Sequence, residues 1–155
     1  MRIAVGADHG GFRLKERIAA HLAARGHTVQ DFGTCSPEPC DYPLVGAAVA
    51  EAVARRRAER GILLCKSGIG IAIVANKVPG VRAANCRDRR DAQLSRAHND
   101  ANVLVLGATR LATAAALRMV DAWLSTPFES GGRHARRVRQ ITAIERRYLS
   151  RKHRA

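Results

Sequence analysis

The sequence predicts an α/β chain: a Rossmann-like three-layer sandwich with a central parallel sheet of about five strands and a C-terminal helix. Three observations carry this. Short apolar runs (IAV, GILL, VLVL) alternate with longer segments of helical periodicity, the pattern of strands buried on both faces by crossover helices. Glycine-rich turns, GADHGG and CKSGIG, follow the first and third strands, where a strand hands over to a helix. Finally, 155 residues suit one domain with one core, and 46% hydrophobic but only 4% aromatic content means that Ala, Val, Leu and Ile build it.

The elements follow in order. Ile3 to Val5 reads as the first strand. Phe12 to Arg25 carries Phe12, Leu14, Ile18, Ala19 and Leu22 near helical spacing and stops at Gly26. His27 to Phe32 alternates as a second strand, and a loop holding Pro37, Pro39 and Pro43 follows. Leu44 to Arg57 is the second helix, Gly61 to Leu64 a buried strand and Ile69 to Asn76 a helix. Val81 to Asn85 is a strand, Asp88 to Ala97 a helix and Asn102 to Leu106 the last strand. Helices over Thr113 to Leu124 and His134 to Leu149 complete the chain. No repeat or linker interrupts it, so residues 1–150 are expected to form a single domain and residues 151–155 a disordered basic tail.

Composition narrows the function. No run approaches the roughly 18 apolar residues of a membrane helix. The opening MRIAVGADHGG is too short in its apolar part for a signal peptide, so a cytoplasmic protein is expected. Cys35, Cys40, Cys65 and Cys86 then read as reduced thiols. Cys35 and Cys40 share the loop CSPEPC, but a zinc site would want a second ligand pair at similar spacing. The net charge of +14 is concentrated from Arg133 onward and raises the alternative of a basic nucleic-acid-binding module. Interleaved aromatics for base stacking are absent, as are zinc-finger and helix-turn-helix patterns, so no specific nucleic-acid partner is expected.

In a parallel sheet the ligand lies beyond the carboxyl ends of the strands. Three segments are expected there: Ala7 to Gly11, Cys65 to Gly70, and the region around His98, Asn99 and Asp100. Ser67, Gly68, Ile69 and Gly70 open a helix straight after a strand, which presents backbone N–H groups to an anion. The spacing fits neither the dinucleotide fingerprint nor the nucleoside-triphosphate loop, so no nucleotide cofactor is expected. A thiol at such a turn gains thiolate character, and Lys66 beside it adds a cation; a small apolar filler is the plainer reading of Cys65. Asp8 and His9 end the first strand facing the crevice, unless Asp8 merely caps the next helix. His98 is a residue type suited to proton transfer at neutral pH. Arg133 and Arg137 are four apart and share a helix face, where two guanidiniums can grip a phosphate; a solvated basic face is the plainer alternative.

Taken in order, IAVGADHGGFRLKERI, DFGT with DYP, CKSGIGIAIVANKVPGVRAA, AQLSRAHNDANVLVLG, VDAWL, and GGRHARRV with ITAIE resemble the ribose-5-phosphate isomerase B family, which includes the galactose-6-phosphate isomerase subunits. The resemblance runs from Met1 to about Glu145. It implies an aldose–ketose isomerase without a metal or organic cofactor, most specifically ribose 5-phosphate to ribulose 5-phosphate, with another aldose phosphate or a free sugar as the alternative substrate. It implies Cys65 as the base between C2 and C1, His98 for ring opening, and Ser67 with the backbone of Gly68, Ile69 and Gly70 for the enediolate oxygen. His9, Arg133 and Arg137 would take the phosphate, while Asp8, Tyr42 and Asn99 would orient hydroxyls. It also implies a homodimer, with a tetramer as a further option, whose sites form between subunits. Two positions depart from the family pattern. Lys66 stands where glycine is frequent, and Thr109 stands two residues after the strand-ending glycine, where arginine is common; here the arginine is Arg110.

Overall fold

A computed structural model describes residues 1–151. Strands β1 (Arg2–Ala7), β2 (Thr28–Asp31), β3 (Arg60–Cys65), β4 (Ala83–Cys86) and β5 (Val103–Gly107) form one parallel sheet in the order β2-β1-β3-β5-β4. Crossovers are made by α1 (Phe12–Ala24), α2 (Tyr42–Ala54), α3 (Ile69–Ala75) and α4 (Arg89–Asn99); α5 (Thr113–Ser125) and α6 (Gly132–Arg151) follow β5.

The side-chain alternation of the strands produces the layers. Ile3, Val5, Ile62, Leu64, Leu104 and Leu106 point to one face and pack against Leu14, Ile18 and Leu22 of α1 and Met119 and Trp123 of α5. The intervening Ala4, Leu63, Cys65, Val103 and Val105 point to the other face, against Val49 and Val53 of α2 and Ile71 and Ala75 of α3. Each large aliphatic side chain buried this way contributes about 1.5–3 kcal/mol, so a strand apolar on both faces is held from both sides. Lys15 of α1 is fully buried. Its ammonium meets Asp31 and, at 2.9 Å, Glu16, and it stands over the Phe12 ring. Burial alone would lower its pKa, but the bonds to Asp31 and Glu16 outweigh that and raise it.

Element bounds differ from the sequence reading where local chemistry intervenes. Helix α2 starts at Tyr42 because Pro43 fits the first helical turn, where no N–H is needed; it ends at Ala54, short of Arg57. Strand β4 covers Ala83–Cys86 rather than Val81 to Asn85, because the Arg82 N–H donates to the Asn102 side chain at 2.8 Å instead of to a ladder carbonyl. Helix α6 begins two residues before His134 and continues through Arg151, the first residue of the tail expected to be disordered; residues 152–155 lie outside the described residues. Among the described residues no helix is long and apolar enough to cross a membrane.

Candidate active site

Cys65 is the last residue of β3 and is 5% exposed. The chain turns immediately after it. Gly68 takes φ +77 and donates its N–H to the Cys65 sulfur at 3.1 Å. Only glycine suits this position, since a Cβ would also lie 2.5 Å from Asn85 Oδ1. Ser67 Oγ accepts the Ile69 N–H at 3.2 Å. The turn thus sets a backbone donor on the sulfur, which complements negative charge on it.

The β1 loop sits alongside. Asp8 is 6% exposed, donates its N–H to Leu64 O at 3.3 Å and accepts the Gly11 N–H on Oδ1 at 3.1 Å. The N-cap of α1 is Gly11, with no side-chain cap bond, so Asp8 shapes the loop rather than capping the helix. His9 accepts the Cys40 N–H on Nδ1 at 3.2 Å. That bond leaves Nε2 as the protonated nitrogen of the neutral ring, a donor for an anion. Tyr42 lies against the turn, and a Cβ on Gly70 would fall 2.6 Å from its hydroxyl. Lys66 is exposed and lays its stem across Gly10, where a Cβ would collide with its Cγ. A cavity of about 430 Å³ lies on the β4 and β5 side of the turn, bordered by Ser67, Asn85, Arg87, Gly107 and Arg110.

His98, Asn99, Arg133 and Arg137 stand elsewhere, which corrects the placement expected for His98 and Asn99. Both belong to the last turn of α4. A helix that leaves the carboxyl end of one parallel strand must return to the amino end of the next, so a segment directly before a strand lies at the opposite edge from the ligand crevice. The pairings Gly61↔Val103 and Cys65↔Gly107 are four residues apart, which separates the two edges by about 13 Å at the usual strand rise. Arg96 and Arg82 fix the amino-edge turn, each reaching Asp100 at 2.7 Å.

At that edge a second cluster assembles. The His98 and His134 rings stack with centroids 4.0 Å apart and planes 5° apart. Glu129 places one carboxylate oxygen 3.7 Å from His98 Nε2 and the other 3.6 Å from His134 Nε2. Its N–H donates to Ala97 O at 2.9 Å, tying this loop to α4. Arg133 Nε donates to His134 Nε2 at 3.3 Å. Burial lowers the His134 pKa, the nearby His98 adds to this, and Glu129 opposes it. Arg133 and Arg137 are exposed on the first turns of α6, where the helix dipole also favours an anion. The donor atoms of His98, Glu129 and His134 lie within 4.8 Å of one another. Yet an imidazole binds a metal in its own plane at about 2 Å, and parallel stacked planes cannot share one ion without a ring rotating.

The single chain therefore unites Asp8, His9, Tyr42, Cys65, Ser67, Gly68, Ile69 and Gly70 at one edge. It unites His98 with Arg133 at the other. Sequence reasoning missed His134, Glu129 and the Cys40 N–H. His134 lies inside GGRHARRV, where the arginine spacing is the stronger signal; the Cys40 bond depends on a backbone group that no residue type announces.

Residues 3–141 match the Ribose/Galactose Isomerase family. The ribose-5-phosphate isomerase B of Escherichia coli (strain K12) is 51% identical over 146 residues, covering 94% of this chain and 97% of that protein. A D-erythrulose-4-phosphate isomerase of Pectobacterium atrosepticum is 43% identical, covering 85% of this chain and 88% of its own. Among solved structures, ribose-5-phosphate isomerase B of Clostridium thermocellum superposes with a TM-score of 0.93 at 51% identity, over 96% of this chain and 99% of that one. A glycine-turned cysteine at a strand tip, set in a matching sheet and in a sequence similar from end to end, makes this chain a member of the ribose/galactose isomerase family.

Proposed function

We propose that this chain is an aldose–ketose isomerase that interconverts ribose 5-phosphate and ribulose 5-phosphate in the cytoplasm, as a homodimer with two sites shared between subunits. The observation that carries the shared site is the distance between the two clusters. Cys65 and the His98–Arg133 group occupy opposite edges of one sheet, so a second copy must bring the partner cluster to each Cys65. Exposed Leu44, Ile69 and Ile73 beside the turn, and exposed Ile141 and Ile144 on α6, supply apolar surface for that contact.

In this reading His98 of one subunit moves the proton that opens the sugar ring. The Cys65 thiolate of the other removes the C2 proton and returns it to C1, while the O2 hydroxyl proton passes to O1. The charge that develops on oxygen is met by Ser67 and the N–H groups through Gly70, and preorganised donors of this kind are worth about 10²–10³ in rate each. His9, Arg133 and Arg137 hold the phosphate, and Asp8, Tyr42 and Asn99 orient hydroxyls. The 43% identity to a D-erythrulose-4-phosphate isomerase keeps a four-carbon phosphate as the second reading.

Mixing chains tests the shared site. Cys65→Ala and His98→Ala should each be inactive alone. Co-refolded in equal amounts they should regain about a quarter of the activity, since half of the dimers are mixed and each of those has one intact site. Persistent inactivity of the mixture would overturn the shared site. Isomerisation assayed on four-, five- and six-carbon aldose phosphates identifies the substrate.

A further inference from the structure

His134 is the point where the amino-edge cluster joins. Its ring stacks on His98 at 4.0 Å, and its Nε2 accepts from Arg133 Nε at 3.3 Å. The ring is 8% exposed, enclosed between α4 and the start of its own helix. The neighbours are otherwise loosely held: His98 is one-third exposed and meets the Glu129 carboxylate at 3.7 Å, and Arg133 is exposed.

We infer that His134 is a positioning residue that locks His98 and Arg133 into one rigid unit, using its face for one and its unprotonated Nε2 for the other. The inference rests on the reading of His98 and Arg133 as working residues of the isomerase. It goes further by assigning a two-sided role to a residue that touches no reacting atom.

The two sides of the ring demand different things. The stack needs an aromatic plane and fixes where His98 presents its nitrogens. The bond to Arg133 needs a lone pair on Nε2, which a neutral Nδ1–H tautomer provides. A protonated ring would lose that lone pair and place a cation between His98, Arg133 and Arg137. The lowered His134 pKa agrees with the neutral form. Among the described residues Glu129 is the carboxylate facing the pair, at similar distances from His98 and His134.

Splitting the two sides by substitution provides the test. His134→Phe keeps the stacking plane and removes the acceptor. It should raise KM for ribose 5-phosphate about tenfold, as the loss of one charge-assisted hydrogen bond does, with kcat within twofold. His134→Gln keeps an acceptor and removes the plane; it should lower kcat several-fold with a smaller change in KM. Wild-type kcat and KM in both variants would overturn the inference. A readout free of turnover comes from side-chain nitrogen NMR of the unliganded wild type at neutral pH. The expected spectrum shows His134 neutral with Nε2 bare; a proton on Nε2 would overturn the assignment even if both variants misfold. His98→Ala separates the layers. If it is inactive while both His134 variants behave as wild type, only this inference fails. Full activity in His98→Ala would remove the reading beneath it as well.

Discussion

The Thr109 hydroxyl donates to the Lys66 carbonyl at 2.7 Å, and the Thr109 N–H donates to the same oxygen at 3.2 Å. The two positions read from the sequence as departures from the family pattern therefore touch. This pair of hydrogen bonds pins the backbone at the tip of β3 while the Lys66 side chain leaves across Gly10. Cys65 packs into the α2 and α3 side of the sheet, and successive strand side chains diverge. The ammonium is thereby carried toward the β1 loop with its Asp8 and His9, away from the sulfur. Lys66→Gly should leave the acidic limb of the pH–rate profile in place and alter the preference among four-, five- and six-carbon phosphates by less than about tenfold, the scale of one solvated cation. Measuring kcat/KM against pH for the whole panel decides it. An acidic limb displaced by the substitution would show that Lys66 acts on the thiolate instead.

Cys65 and Cys86 offer a contrast between two buried thiols. Burial pushes the Cys86 thiol up to about 11, so it stays protonated at neutral pH and cannot serve as a base. Cys65 instead accepts the Gly68 N–H. Cys65→Ala should lower kcat by about 10²–10⁴-fold, the worth of a positioned proton-transfer group, with sugar-phosphate affinity within a few-fold of wild type by calorimetry. Cys86→Ala should turn over normally. Substantial activity in Cys65→Ala would remove it from the mechanism.

Much of the fold was legible in the sequence because the strands are apolar on both faces. That property follows from a sheet covered on both sides, and GILLC and VLVLG carry it in their residues. The strand order was not legible, since pairing depends on contacts between distant segments. His98 shows the same limit within the site. Its residue type and neighbours marked it as a candidate, but its edge of the sheet follows from connectivity: a residue just before a parallel strand lies at the amino end. Cys65 and Ser67, directly after a strand, were placed correctly by that same rule. The start of strand β4 shifted because a single side chain took over a backbone bond, as Asn102 does for Arg82.

Arg133 and Arg137 should separate binding from folding. Both are exposed at the start of α6, so truncating them removes charge rather than core. Arg133→Ala and Arg137→Ala should each raise KM for a phosphorylated sugar by roughly 10–100-fold, the equivalent of about 1.5–3 kcal/mol for a hydrogen bond to a charged group. Turnover of the corresponding free sugar, if measurable, should change little. The thermal midpoint should stay within a few degrees. Equal losses on both sugars would assign the arginines to the dimer or the fold.

The amino-edge cluster should make stability depend on pH in a defined window. His134 has its folded pKa below the ordinary value near 6.5, through burial and then His98. Between the two values the unfolded chain binds more protons than the folded one, so stability rises with pH there. Above about 6.5 the contribution is complete, and it is lost as pH falls toward the folded value. The groups facing the ring are His98 on α4, Glu129 in the preceding loop, and Arg133 and Arg137 on α6. Only Glu129 among them eases protonation of the ring. Urea unfolding of wild type should therefore show a falling midpoint from pH 7.5 to pH 5. His134→Phe, which cannot bind a proton, should show a shallower fall over the same interval. Parallel curves for the two proteins would mean that His134 does not couple protons to folding, and would locate the acid sensitivity in other groups.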